Sequence, residues 1–221
     1  MIRVNPSFPS NPRLMLPRVY ALTDVHVSGL SHAEQVELLS AGGATLIQLR
    51  EKEMLPREFY PQAKEAVAVA ARRGVQLIIN DRVDMALAVG AHGVHLGQDD
   101  MPPEAARRLL GAEAVIGYST HNLEQAIAAT KLPIDYLAIG PIFATTSKSD
   151  TAPVLGLDGI RAVRQAIGTF PLVAIGGVSQ ANARQVVEAG ADSVAVISAL
   201  LSDPTRINEA ARQLNLELRQ T

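Results

Sequence analysis

Cysteine and tryptophan are both missing from this chain of 221 residues, and phenylalanine and tyrosine occur only four times each. Without cysteine there is no disulfide, no thiolate metal site and no thiol nucleophile, which fits a reducing compartment. Long apolar runs are also missing. The longest, "VAVISALL" from Val194 to Leu201, falls far short of the ~20 residues that a membrane-spanning helix needs. No excess of one charge sign exists either: 20 Lys and Arg stand against 22 Asp and Glu, scattered along the chain. A basic stripe of the kind that grips a nucleic-acid duplex is therefore excluded, and a cytoplasmic protein without membrane or nucleic-acid partners is expected. The residues leave both a monomer and a homo-oligomer open.

What is present is alternation. From Arg18 onward, short Val-, Ile- and Leu-rich runs alternate with longer segments whose apolar residues recur three and four apart. The first kind predicts strands and the second amphipathic helices. Eight candidate strands follow: "RVYALTD", "TLIQLR", "QLIIN", "GVHLG", "VIGYST", "YLAIGPI", "PLVAIGG" and "SVAVISAL". Eight candidate helices begin near Ser31, Pro56, Arg82, Pro102, Asn122, Leu157, Gln180 and Pro204. Three strand approaches repeat one small-residue pattern, "SAGGATLIQLR", "AVGAHGVHLG" and "EAGADSVAVIS", as repeated βα modules would. The reading is an α/β fold, a (β/α)8 TIM barrel over residues 18–221, preceded by a proline-broken extension over residues 1–17. An open doubly wound sheet is the alternative, but "ALTDVHVSG" after the first strand is no glycine-rich dinucleotide fingerprint.

Such barrels place their chemistry at the C-terminal ends of the strands. Gln48, Arg50, Glu51 and Lys52 follow the second strand, Asn80 and Asp81 the third, Gln98, Asp99 and Asp100 the fourth, and Ser119 and Thr120 the fifth. The sixth runs into "GPIFATTSKSD", the seventh ends in Gly176 and Gly177, and the eighth carries Ile197 and Ser198 near its end. Each residue also has a plain reading. Asp81, Ser119 and Thr120 could cap helices, Asp99 and Asp100 could flank a helix start, and Ser179 could cap a tight turn. His95 reads as a packed or hydrogen-bonded barrel residue, and no Ser-His-Asp arrangement stands out. Their concentration at one rim favours a site. Arg50, Lys52 and Lys148 can neutralise phosphate oxygens, and Asp81 with Asp100 could hold a hard cation such as Mg²⁺. The glycines of "AIGGVS" allow close backbone approach to a second phosphate.

The blocks "QLREK", "INDRVDMALAVGAHGVHLGQDDMP", "IGYSTHN", "YLAIGPIFATTSKSD" and "VAIGGVS…AGADSVAVIS" together resemble the thiamine-phosphate synthase family over about residues 18–202. The resemblance implies a Mg²⁺-dependent transferase that joins an aminopyrimidine-methyl diphosphate to a thiazole phosphate and releases pyrophosphate. It implies that Gln48, Arg50, Lys52, Asn80, Ser119 and Lys148 contact the pyrimidine diphosphate and that Asp81 and Asp100 hold the metal. Thr145 and Ser147 would meet the thiazole phosphate, with Gly177, Ile197 and Ser198 around its phosphate; Lys148 and Ser119 would be the catalytic pair. The loop departs from the family pattern at Ala144, Ser147 and Ser149, where proline, threonine and lysine are usual. The related thiazole tautomerase resembles the chain less, since it carries a histidine where Pro141 stands and tends to lose the counterparts of Asp81, Asp100 and Lys148. A barrel that only binds thiazole phosphate is the third reading.

Overall fold

Helix endings set the repeat. In the computed structural model, which describes residues 14, 16–145 and 153–219, the three small-residue approaches form one and the same turn. The amides of Ala44, Ala91 and Ala191 donate to the carbonyls five residues back, Leu39, Ala86 and Val186, at 3.1, 3.0 and 3.4 Å. This bond closes a helix through carbonyls that would otherwise be orphaned. Each alanine is buried, so the chain turns directly into the next strand.

Eight strands result: β1 (Val19–Leu22), β2 (Leu46–Leu49), β3 (Gln76–Asn80), β4 (Gly93–Leu96), β5 (Val115–Thr120), β6 (Tyr136–Ile139), β7 (Leu172–Ile175) and β8 (Ser193–Val196). They pair in parallel in sequence order, and β8 pairs with β1 to close the barrel. Burial on both faces accounts for the unbroken apolar runs. The helices are α1 (Val25–Ser28), α2 (His32–Ala41), α3 (Pro56–Arg73), α4 (Val83–Val89), α5 (Pro103–Leu110), α6 (Leu123–Ala129), α7 (Gly156–Ile167), α8 (Gln180–Glu188), α9 (Ser198–Leu201) and α10 (Ile207–Leu218).

Three details differ from the sequence reading, the first being the short helix α1 between β1 and α2, which is not among the eight helices expected. The eighth strand stops at Val196, and Ile197 and Ser198 turn into the short helix α9 instead of ending the strand. Its Leu200 and Leu201 are buried like strand residues, so an apolar run alone could not mark the change. The last helix starts at Ile207 and not near Pro204, because the Asp203 carboxylate accepts from the Thr205 amide and hydroxyl and holds a turn there.

At the N-terminal end of the barrel a side-chain lock recurs. Asp135, just before β6, donates its amide to the Ile116 carbonyl and accepts the Ile116 amide on its carboxylate at 2.7 Å. Asp192, just before β8, does the same with Leu172 at 2.8 Å. Each aspartate is held by an arginine 28 residues earlier, Arg107 on α5 and Arg164 on α7. Before β4 the corresponding residue is His92, whose Nδ1 takes the Leu77 amide at 3.1 Å. Burial lowers the His92 pKa, as suits a neutral acceptor.

Candidate active site

The strand ends bring most of the expected residues to one rim. Arg50 extends from β2 to Asp24, Nη1 to Oδ2 at 2.5 Å, with both side chains largely buried. Asp24 uses its other oxygen to cap α1 through the amides of His26 and Val27, so one carboxylate fixes both a helix start and a guanidinium. A second support lies beneath. His32 on α2 meets the Thr23 hydroxyl at 2.8 Å, Thr23 accepts the Arg50 amide, and Glu51 accepts the amides of Glu53 and Met54. The His32 Nε2 lies 3.4 Å from Glu51, a long contact that is electrostatic rather than a formed hydrogen bond. Burial lowers the His32 pKa against the pull of Glu51.

Beside them Lys52 Nζ sits 2.5 Å from the Asp81 carboxylate. Asp81 follows β3 in the left-handed region, φ 61°, where a residue other than glycine is uncommon. It caps no helix, since α4 has Arg82 at its cap position without a side-chain bond. Asp100 flanks the start of α5 without capping it, and its Oδ2 accepts the Gly97 amide at 2.7 Å. Burial, with the Asp81 carboxyl close by, pushes Asp100 above the ordinary carboxylate range. Among the described residues no cluster of three or more His, Asp or Glu could hold a metal, so any cation here would rest on this pair.

Inside the barrel mouth a small cavity is lined by Tyr20, Gln48, Arg50, Asn80 and His95 among others. Asn80 Nδ2 is buried there without a hydrogen-bond partner among the described residues, a donor left for a ligand. His95 is hydrogen-bonded, as its sequence context predicts: Nδ1 to the Tyr136 hydroxyl at 3.0 Å and Nε2 to Ser119 Oγ at 2.8 Å. Ser119 therefore faces the interior, and α6 takes its cap from Asn122.

A second, larger cleft adjoins it and shares Ile175 and Ala195 as common wall. Ser119, Thr145, Gly177, Ile197 and Ser198 line this second chamber. Gly176 and Gly177 have φ of 98° and 64°, and a methyl on either would lie 2.6–2.7 Å from Pro141, Phe143 or Ala144. Only a glycine pair lets the segment after β6 settle onto the end of β7. Ser147 and Lys148 lie outside the described residues, as does Ser149.

Sequence reading missed Tyr20, Asp24, Tyr136 and His121. The tyrosines sat inside apolar runs and passed for core. Asp24 closes the first strand block, and an acid at a strand end was the available signal. His121 meets the Gly140 carbonyl at 2.8 Å and lines the larger cleft.

The chain is similar to known proteins. The thiamine monophosphate synthase family model matches residues 19–200. A thiamine-phosphate synthase of Chloroflexus aurantiacus is 51% identical over 198 residues, covering 89% of this chain and 90% of the relative. One from Albidiferax ferrireducens is 49% identical over 205 residues, 91% of this chain and 93% of its own. Among solved structures, thiamine phosphate pyrophosphorylase from Pyrococcus furiosus superposes with a TM-score of 0.83 at 36% identity, over 92% of this chain and 96% of that one. With a closed eight-stranded barrel, a rim of cations and carboxylates, and a family match spanning nearly all of the barrel, the chain belongs to the thiamine monophosphate synthase family.

Proposed function

We propose that this protein condenses an aminopyrimidine-methyl diphosphate with a thiazole phosphate to give thiamine phosphate and pyrophosphate. One observation carries the reading: two chambers with a shared wall open at the same rim, one beside Arg50, Lys52 and the Asp81–Asp100 pair, the other beside the glycine pair. Two anionic substrates need two such places.

In this reading Gln48 and Asn80 hold the pyrimidine ring, Arg50, Lys52, Ser119 and Lys148 its diphosphate, and Thr145 and Ser147 the thiazole phosphate. Backbone amides at Gly177, Ile197 and Ser198 complete the phosphate cradle. The donor set fits Mg²⁺, since a pair of adjacent carboxylates, completed by water and substrate phosphate oxygens, is what that hard cation takes. Held by Asp81 and Asp100, Mg²⁺ would neutralise charge on the departing diphosphate.

The chain's own task is positioning. The carbon–oxygen bond to the diphosphate breaks, leaving a cation spread over the electron-rich aminopyrimidine, and the thiazole nitrogen then supplies its lone pair to that carbon. No general base is required, because the attacking nitrogen carries no proton. Arg50, Lys52 and Lys148 stabilise the leaving charge, and the barrel walls exclude water from the cation. Because its substrates are charged phosphate esters, we place the enzyme in the cytoplasm. The test is direct: the purified chain with both substrates and Mg²⁺ should form thiamine phosphate and pyrophosphate in equal amounts. A well-folded preparation that forms neither would overturn the reading.

A further inference from the structure

Five side chains cross the barrel interior in one unbroken hydrogen-bonded line. Gln48 Nε2 meets the Tyr20 hydroxyl at 3.0 Å, the hydroxyls of Tyr20 and Tyr136 are 2.9 Å apart, and His95 joins Tyr136 at 3.0 Å to Ser119 at 2.8 Å. The rings pack to hold these bonds. Tyr136 stands edge-on to Tyr20 and stacks on His95 with centroids 5.5 Å apart. Gly117 makes the room, because a methyl there would overlap both the Tyr136 ring and His95 Nδ1.

With His95 neutral, the chemistry of the members restricts the line to two states. A phenol has one proton to give, and a neutral imidazole carries its proton on one nitrogen only. All links must therefore point the same way. Burial pushes both phenols well above the ordinary tyrosine range, so each keeps its proton. If the Gln48 amide N–H donates to Tyr20, each member donates onward, His95 carries its proton on Nε2, and the Ser119 proton is available to the site. If the Gln48 carbonyl faces Tyr20 instead, every link reverses, and Ser119 spends its proton on His95.

We propose that this line couples the two ends of the pyrimidine site: an amino group on the ring, held by the Gln48 carbonyl, turns the amide N–H toward Tyr20 and aims the Ser119 hydroxyl at the departing diphosphate. A ring carrying an oxo group at that position takes the amide N–H for itself and withdraws the Ser119 donor. Discrimination between amino and oxo pyrimidines then enters the chemical step as well as binding. Tyr136, fully buried and outside both chambers, is the positioning residue of the line. The inference rests on the synthase reading for the identity of the substrate.

The experiment uses the full chain labelled with ¹⁵N-histidine. The amino pyrimidine diphosphate should hold His95 as the Nε2–H tautomer, and the 4-oxo analogue should shift it toward Nδ1–H. In Tyr136→Phe the tautomer should no longer follow the ligand, and kcat should fall about 10- to 100-fold, the range for a hydrogen bond to a charged group, while KM for the thiazole phosphate stays within about twofold. Ser119→Ala should lose a similar factor, and the double variant should fall no more than about twofold below Ser119→Ala. A His95 tautomer indifferent to ligand in the native chain, or losses that multiply in the double variant, would overturn the coupling. Should Tyr136→Phe fail to fold, Tyr20→Phe cuts the line one link nearer Gln48 and is read by the same spectra and kinetics. Because the spectra need no turnover, the two readings separate. A responsive tautomer without product removes the synthase reading alone, and product with an unresponsive tautomer removes the coupling alone.

Discussion

Arg107→Met is expected to lower stability strongly and leave catalysis intact. The guanidinium donates to the carbonyls of Pro133, Gly111, Ala112 and Ala114 and to the Asp135 carboxylate, joining the end of α5 to the turn before β6. Methionine keeps most of the aliphatic volume and removes every donor. Breaking one side of a buried ion pair costs about 3–5 kcal/mol. Asp135 is 37% exposed and retains the Ile116 amide, so water recovers part of that loss. A net loss of about 2–3 kcal/mol follows. For a domain of this size each kcal/mol moves the melting temperature by about 2–4 °C, giving a drop of roughly 4–12 °C. Calorimetric or fluorescence melts measure it directly, and turnover assayed at 25 °C should be unchanged, because the lock lies at the barrel end opposite the site. Arg164→Met should behave alike, since Arg164 makes a matching set of bonds with the carbonyls of Gly190, Gly168 and Phe170 and with Asp192. A shift below about 1 °C, or lost turnover in a folded variant, would refute the argument.

Three further outcomes are expected. Burial lowers the pKa of His92 and His32 in the folded chain, so below the ordinary histidine value of about 6.5 the unfolded chain binds more protons and stability falls as the pH drops. Melting temperatures should be flat above that value and decline toward pH 5.5, less steeply in His92→Asn; a flat profile throughout contradicts the assignment. Asp100→Asn should raise the Mg²⁺ concentration for half-maximal activity by roughly tenfold or more, and an unchanged titration removes Asp100 from the ligand set. Lys148→Ala should lower turnover by roughly tenfold or more with little change in melting temperature, and a comparable loss of stability would mark a structural lysine.

The barrel was legible because its strands are buried on both faces and its helices on one, so the two periodicities separate cleanly. The rim was legible because charged and amide side chains follow apolar runs directly, as Gln48, Arg50, Asn80 and Asp81 do. Where an apolar run served two elements in succession, periodicity failed, and Ile197 and Ser198 were assigned to the strand they follow. The tyrosine line escaped for a related reason: Tyr20 and Tyr136 bury rings as any core residue does, and their polar ends meet only across 116 positions of chain. The repeated Arg–Asp lock was present as two equal separations, yet those spacings carry no meaning until the barrel brings helix end and strand start together.

The locks before β4, β6 and β8 also say how such a barrel tolerates change. Each ties the entry of an even-numbered strand to the strand before it, using side chains that belong to no loop of the rim. Cohesion is thus built into the floor in a modular form repeated along the chain, so the rim does not hold the strands together alone. New loops can be grafted or old ones pared at the mouth while the floor keeps the register, so specificity for one pair of substrates can drift toward another without the scaffold having to be solved again.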